Sequence, residues 1–447
     1  MSALARYFHF HGWEVSGYDK TETVLTKALV SEGISVHYSE SVDRIPKSPA
    51  FVVYTPAIPA IHEELQYYRN AGTKLMKRSE VLGWITEHSF NICVAGTHGK
   101  TTTTTMIAHL LRDSGYGCNA FLGGISANYN SNFWSHEKQV CVIEADEYDR
   151  SFLKLSPDIA VITAMDPDHL DIYGTEDAVV ESFIEFSGKL KDGGCLFYKQ
   201  GLGKSDALNG ATKFSYHLGE NPADVQAVQV DRIDGGYRFD VKGKDWTMHN
   251  MELHMGGLHN VENMTAAIAV AQHLGIEPEK IRASVASFRG VKRRFEYILP
   301  PTNGKEQLVM VDDYAHHPEE LRALITSAKD LFKDRKCTVI FQPHLYTRTR
   351  DFADGFSEVL DMVDELILLP IYPARELPIE GVTSEMLLSN MKGADRKIMS
   401  KEQVLPYFEN KWATGIGSFK HLVITAGAGD IDTLVQPLGE LLKKMNA

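Results

Sequence analysis

Gly96-Thr97-His98-Gly99-Lys100-Thr101 follows the apolar run Ile92-Cys93-Val94-Ala95 and opens the Thr-rich segment from Thr102 to Leu111. That order predicts a strand, a tight turn and a helix. Glycines let several backbone N–H groups face one anion, the helix N-terminus adds a partial positive charge, and Lys100 adds a full one. Thr101 offers a hydroxyl to a magnesium ion. The spacing is Gly-x-x-Gly-Lys-Thr, whereas the general phosphate loop has four residues between its glycines, and Val94 stands where the first of them would be. This departure argues against the ordinary ATPase and GTPase families and for a narrower group with a shortened loop. A Gly-rich turn without function is the competing reading.

Around the loop, short β-branched runs alternate with longer amphipathic stretches, which predicts α/β layers on parallel sheets. Three blocks are expected. Residues 1–88 carry runs near Glu14-Val15-Ser16, Ile34-Ser35-Val36 and Phe51 to Tyr54, giving a small Rossmann-like domain. Residues 89–295 hold the loop strand, Val140 to Ile143, Ile159 to Thr163 and a helix from Met264 to Leu274, with residues 195 to 254 as an antiparallel excursion. Residues 296–447 carry strands at Leu308 to Val311, Thr338 to Phe341, Leu366 to Leu369 and Leu422 to Thr425, a second doubly wound sheet.

At 447 residues the chain has room for two or three cores. Its 43% apolar and 23% charged residues are those of an ordinary globular protein. The net charge of -13 disfavours a nucleic-acid partner, which binds by phosphate neutralisation, and leaves a small phosphorylated ligand open. Five scattered cysteines without a C-x-x-C pair read as reduced, in a cytoplasmic protein. There is no apolar run long enough for a membrane span and no signal-peptide core at Met1 to Arg6.

Chemistry collects at the carboxyl ends of the predicted strands, where open α/β sheets place their ligands. Val140 to Ile143 runs into Glu144-Ala145-Asp146-Glu147-Tyr148-Asp149, four carboxylates that suit Mg²⁺ or, alternatively, a solvated acidic loop. Ile159 to Thr163 leads to Asp166-Pro167-Asp168-His169-Leu170-Asp171, where His169 reads as a metal ligand, a base or an Asp-paired surface residue. Gly256-Gly257-Leu258-His259-Asn260-Val261-Glu262-Asn263 precedes an apolar helix and reads as a ligand site or a helix cap. The third block loads two strand ends, Asp312-Asp313-Tyr314-Ala315-His316-His317 and Pro343-His344-Leu345-Tyr346-Thr347-Arg348-Thr349-Arg350. Arg293 and Arg294 can reach a phosphate or carboxylate in a fork geometry, or bridge domains.

Seven motifs in order, spanning nearly the whole chain, resemble the Mur ligases of peptidoglycan synthesis: the short loop, Glu-Ala-Asp-Glu, Asp-His-Leu-Asp, Gly-x-His-Asn-x-x-Asn, Arg-Arg-Phe, Asp-Asp-Tyr-Ala-His-His-Pro and Pro-His-x-Tyr-Thr-Arg-Thr-Arg. The resemblance implies a UDP-sugar domain, a central ATPase domain and a C-terminal domain that closes with the amino acid. It further implies ATP and Mg²⁺ as cofactors and joining of L-alanine to the lactyl carboxylate of UDP-N-acetylmuramate through an acyl phosphate. No nucleic acid or membrane partner is expected, and the chain is expected to be a monomer or homodimer. By resemblance, Gly96, Thr97, His98, Gly99, Lys100, Thr101 and Thr102 cradle ATP, with Thr101 and Glu144 on one Mg²⁺ and His169 on a second. His259 and Asn263 match positions near the ATP base, Arg294 and Asp313 match groups near its phosphates and ribose, and Tyr314, His344 and Arg348 match the region that receives alanine. A tripeptide-recycling ligase on the same UDP-sugar, and a nucleotide-binding protein without ligase activity, are the alternatives.

Two departures stand out. Many relatives carry a basic residue where this chain has Leu345, which shifts more of that role to Arg348 or Arg350. In the family, Met-Ser-Ala-Leu-Ala is preceded by a first strand and a Gly-x-Gly-Gly-x-Gly turn. Here Met1 opens a predicted helix from Ser2 to Phe10, expected to reflect a misassigned start or a truncation. Asp19 and the loop Tyr54 to Ile58 are then the remaining ligand candidates of the first block.

Overall fold

The computed structural model describes residues 1–55, 58–167, 170–301, 307–389, 391–393, 395–417 and 419–446. The helix Ser2–Phe10 forms as expected, and its Leu4 and Phe8 are buried. Tyr7 lies against Phe121 and Phe133 of the central sheet, so this helix helps to seal the core between the first two blocks. The first block does not form one continuous Rossmann-like sheet. Ser16–Tyr18 pairs in parallel with Ser35–His37, and Val52–Tyr54 with Leu75–Lys77, as two separate two-stranded sheets. No described strand lies between the two pairs to join them. The first strand begins two residues later than its apolar signal, because pairing with Ser35 sets its start at Ser16 while Val15 packs into the core before it.

The central sheet has ten strands. In spatial order they are Thr247–Leu253, Gly236–Lys242, Val225–Ile233, Thr212–Leu218, Cys195–Lys199, Ile159–Ile162, Phe90–Ala95, Val140–Glu144, Asn119–Ser126 and Ser131–Trp134. The strand that feeds the loop thus runs parallel between those that end at Glu144 and Ile162. All three deliver their carboxyl ends to one edge. The segment 195 to 254 is antiparallel only in its second half. Cys195–Lys199 and Thr212–Leu218 extend the parallel sheet, and the reversal starts with Val225–Ile233 and Gly236–Lys242. Burial explains the division: Leu196 and Phe197 are enclosed as in a two-sided parallel strand, whereas Asp234-Gly235, with Gly235 at φ +73°, makes a two-residue hairpin turn. The helices Lys100–Asp113 and Leu258–His273 pack side by side, and Met106, Leu110, Val261 and Met264 are buried in the one core they share.

The last block is a six-stranded sheet in the order Glu296–Leu299, Leu308–Asp313, Lys420–Ala426, Arg335–Phe341, Glu365–Leu368 and Arg396–Ile398. All pairs but the first are parallel. The predicted strands are present, and two edge strands join them. Asp313 and Phe341 end on either side of Ala426, so both loaded strand ends share one crevice. Among the described residues no helix is long and apolar enough to cross a membrane. All five cysteines are buried and free.

Candidate active site

The turn at Gly96 is stitched to the neighbouring strand end. Thr97 N donates to Ala164 O at 3.2 Å, Asp166 N donates to Thr97 Oγ1 at 3.1 Å, and the single Thr163 hydroxyl proton is shared between His98 O and Ala95 O, the latter at 3.2 Å. Glycine is required twice. Gly96 has φ +142°, and a Cβ there would sit 2.8 Å from Ala164 N; Gly99, the helix N-cap, has φ +79°. His98 is exposed, and Thr102 is buried in the first helical turn. The threonine run is partly structural: Thr104 and Thr105 donate back to the carbonyls of Lys100 and Thr101, each at 2.7 Å.

The Lys100 and Thr101 side chains of the loop meet different carboxylates. Thr101 Oγ1 donates to Glu144 Oε1 at 2.9 Å, and Gly123 N donates to Glu144 Oε2 at 2.8 Å. Burial raises the Glu144 carboxyl above its ordinary range, against the lowering by these two hydrogen bonds. Lys100 Nζ lies 2.7 Å from Glu147 Oε1 and donates to Gly96 O at 2.7 Å. Asp146 is exposed and caps Tyr148 N at 3.1 Å. The three described carboxylates of the acidic segment, Glu144, Asp146 and Glu147, are therefore divided among three tasks and do not form one cation cage. Among the described residues no group of three or more His, Cys, Asp or Glu side chains could hold a metal ion. His169 and Asp168 lie outside the described residues, as do Pro56 and Ala57 of the Tyr54 loop. Asp19 is exposed and accepts from Thr21 N at 3.0 Å.

His259 and Asn263 belong to a helix, not to a loop before one. The helix starts at Leu258, six residues ahead of the expected Met264, because Gly257, at φ +88°, provides its N-cap and Asn260 Nδ2 donates to Gly256 O at 2.7 Å. At i and i+4 the two residues share a helix face. Asn263 reaches the loop, since a Cβ on Gly99 would lie 3.0 Å from Asn263 Oδ1. Glu262 is buried and engaged elsewhere, with Lys199 Nζ at 2.9 Å.

The linker to the last block passes beside the loop. Lys292 N donates to Ile125 O at 2.8 Å, and a Cβ on Gly124 would meet both Val291 Cγ1, at 2.7 Å, and Thr101 Cγ2, at 3.0 Å. The two arginines diverge there. Arg293, at φ +59°, turns inward to Asp312 Oδ2 at 3.3 Å and donates to Gly427 O, which is the domain-bridging alternative. Arg294 is exposed. Asp313 accepts from Phe295 N and Ala315 N, each at 2.7 Å; burial pushes its carboxyl up to about 6 and that of Asp312 up to about 7.

Across the crevice, the His344 ring stacks on Tyr372 at 5.8 Å between centroids, His316 lies 6.0 Å away edge-on, and Arg348 Nη1 is 3.5 Å from His344 Nδ1. Burial and the Arg348 charge lower the His344 pKa and favour the neutral imidazole. Tyr314 is exposed beneath the Arg293 guanidinium, 5.1 Å from the ring centroid. Leu345 adopts φ +69° ahead of the short helix Tyr346–Asp351. Arg350 is paired outward with Asp351, so of the two arginines expected to compensate for Leu345, Arg348 is the one beside His344.

The structure thus gathers Gly96, Gly99, Lys100, Thr101, Glu144 and Asn263 around one loop, and Asp313, Tyr314, His344 and Arg348 around a second strand-end crevice. Glu147, His316 and Tyr372 are additions. Glu147 and His316 lie inside the motifs quoted from the sequence, whereas Tyr372 carries no local signal.

Comparison with known proteins adds three findings. Family models described as Mur ligase family, catalytic domain, as Mur ligase middle domain and as Mur ligase, glutamate ligase domain match residues 1–90, 94–271 and 293–429. The UDP-N-acetylmuramate--L-alanine ligase of Cytophaga hutchinsonii is 48% identical over 448 residues, covering 98% of this chain and 93% of that one, and the protein of the same name from Parabacteroides distasonis is 48% identical over 99% of this chain and 95% of its own. A crystal structure of the UDP-N-acetylmuramate-alanine ligase of Thermotoga maritima superposes with TM-score 0.79 at 26% identity, covering 99% of this chain and 96% of that one.

Proposed function

The chain belongs to the Mur ligase family, and on that premise we propose that it is an ATP-dependent ligase that joins L-alanine to the lactyl carboxylate of UDP-N-acetylmuramate. The observation that carries the reading is the loop itself. Lys100 folds over the loop onto Gly96 O at the N-terminus of its own helix, with Thr101 on Glu144 beside it, and this grouping supports an anion site there, in a chain whose relatives bear that activity in their names.

Residues 1–88 are assigned to the UDP-sugar, 89–295 to ATP and 296–447 to the amino acid. A lactyl carboxylate oxygen attacks the γ-phosphorus of ATP and ADP leaves. The alanine ammonium gives one proton to a base, the freed amine attacks the acyl carbon, and the tetrahedral adduct expels phosphate, which carries off the second nitrogen proton as hydrogen phosphate. Each step moves negative charge between oxygens, so positioning and fixed positive charge carry the catalysis. Lys100 and the loop N–H groups hold the phosphates, with Arg294 as a second cation. His259 and Asn263 lie on the base side, Asp313 on the ribose side, and Arg348 with His344 receives the amino acid, the guanidinium pairing its carboxylate. Thr101 and Glu144 offer hard oxygen donors 2.9 Å apart and fit Mg²⁺, with His169 assigned to a second ion. When bound, Mg²⁺ supplies charge neutralisation at the phosphate oxygens.

The reading is tested by ADP release with and without UDP-N-acetylmuramate and a panel of amino acids. Release that requires both the sugar nucleotide and L-alanine is the expected result; release indifferent to both would sink it. The Mg²⁺ assignment has its own variant. A Cβ on Gly123 would lie 2.5 Å from Glu144 Cδ, so Gly123→Ala displaces this carboxylate while the backbone keeps an ordinary φ. The Mg²⁺ concentration for half-maximal turnover is expected to rise by about tenfold, as for loss of a group that orients a metal ligand.

A further inference from the structure

Glu147 has no part in the assignments above, yet its side chain is 1% exposed and it is the ionic partner of Lys100. Its Oε1 takes the ammonium at 2.7 Å; its Oε2 is enclosed with no hydrogen-bond partner among the described residues. The backbone is pinned as well, since Glu147 O accepts from the Tyr173 hydroxyl at 2.6 Å and from Arg150 N at 2.9 Å. An ammonium carries three protons. Two are taken by Glu147 and by Gly96 O at 2.7 Å, and among the described residues the third has only Thr97 O, at 3.5 Å.

Were Lys100 to leave Glu147 for a phosphate, it would strand a buried carboxylate without its cation. The economical alternative is that Lys100 serves both anions at once. We propose that Glu147 is a positioning residue that keeps the Lys100 ammonium folded over the loop in the empty and the nucleotide-bound enzyme, leaving its third proton for the polyphosphate. The inference rests on the ATP-site reading above. Glu147 trades ground-state affinity for orientation: its charge opposes the incoming phosphates, and its grip holds the cation where transferred charge develops.

The test measures ADP affinity by calorimetry in the presence of Mg²⁺, and turnover at saturating ATP, in the full chain. Glu147→Gln is expected to bind ADP about three- to tenfold more tightly, because one anion is gone and nucleotide relieves an uncompensated Lys100. Its turnover is expected to fall at least about tenfold, because the ammonium loses its anchor. Glu147→Asp keeps the charge with a shorter reach, so its ADP affinity should stay within about twofold of the parent while turnover falls between the other two. A purely structural role would lower melting temperature and turnover together without tightening ADP.

Unchanged turnover in Glu147→Gln, or reduced turnover with equal or weaker ADP binding, overturns the proposal. If Glu147→Gln does not fold, Glu147→Asp decides: parent-like turnover overturns it, and reduced turnover at parent-like affinity supports it. A parent chain that binds ADP but releases none on adding both substrates refutes the ligase reading while leaving the affinity comparison intact.

Discussion

Lys100→Ala is expected to lower substrate-dependent ADP release by about 10³-fold, the scale set by losing a preorganised charge at a transferring phosphoryl group. Loss of activity is only half of the expected result. The substitution also leaves Glu147 buried beside an empty volume, with one oxygen already lacking a hydrogen-bond partner among the described residues. The fold should therefore lose about 3 kcal/mol, read as a lower midpoint in chemical denaturation. Adding Glu147→Gln to Lys100→Ala removes the stranded charge and should restore much of that stability while activity stays at the floor. A cycle over the two positions then reports their coupling directly. Parent-like turnover in Lys100→Ala would contradict the assignment of the loop. Equal stability of the single and double variants would contradict the ion pair.

The loop was legible in the sequence because everything that makes it is local. A strand, two glycines at fixed spacing, a lysine and a hydroxyl follow one another within ten residues, and the structure places them as that order demands. The strand ends were legible for the same reason: Glu144, Asp313 and His344 each stand within three residues of the end of an apolar run. What the sequence could not resolve is partnership across distance. Glu144 and Glu147 look alike in one acidic run, and only the positions of Gly123 and of the helix starting at Lys100 send one to Thr101 and the other to Lys100. The same holds for Arg293 and Arg294, identical neighbours until a positive φ at Arg293 turns one inward to Asp312 and leaves the other exposed. The start of the Leu258–His273 helix was obscured by polarity. Asn260 and Asn263 look like loop residues, but they hydrogen-bond to Gly256 and to each other at the helix start, and Asn263 packs beside Gly99.

Gly96→Ala is expected to remove nucleotide binding, with ADP affinity weakened at least about 100-fold, the work of a side chain in a space the backbone already fills. The new Cβ would collide with Thr163 Oγ1 and sit 2.8 Å from Ala164 N and 3.1 Å from Ala164 O, in a residue held at φ +142°. Ala164 cannot yield, because its carbonyl accepts from Thr97 N and the strand before it is fully buried in the central sheet. Gly99→Ala provides the graded comparison. Its φ of +79° costs about 1 to 2 kcal/mol for any other residue, but its nearest neighbour at 3.0 Å is the Asn263 amide oxygen, the far end of a side chain held by one long hydrogen bond to Asn260, which gives more readily than backbone. Adding Thr163→Ala to Gly96→Ala removes one collision and leaves the backbone contact, so recovery should be partial. Calorimetry with ADP on the four chains should therefore give the order parent, Gly99→Ala, Gly96→Ala with Thr163→Ala, Gly96→Ala. If Gly96→Ala binds ADP as well as Gly99→Ala does, the anion is not held by the backbone at this turn, and the phosphate site must be sought elsewhere on the sheet edge.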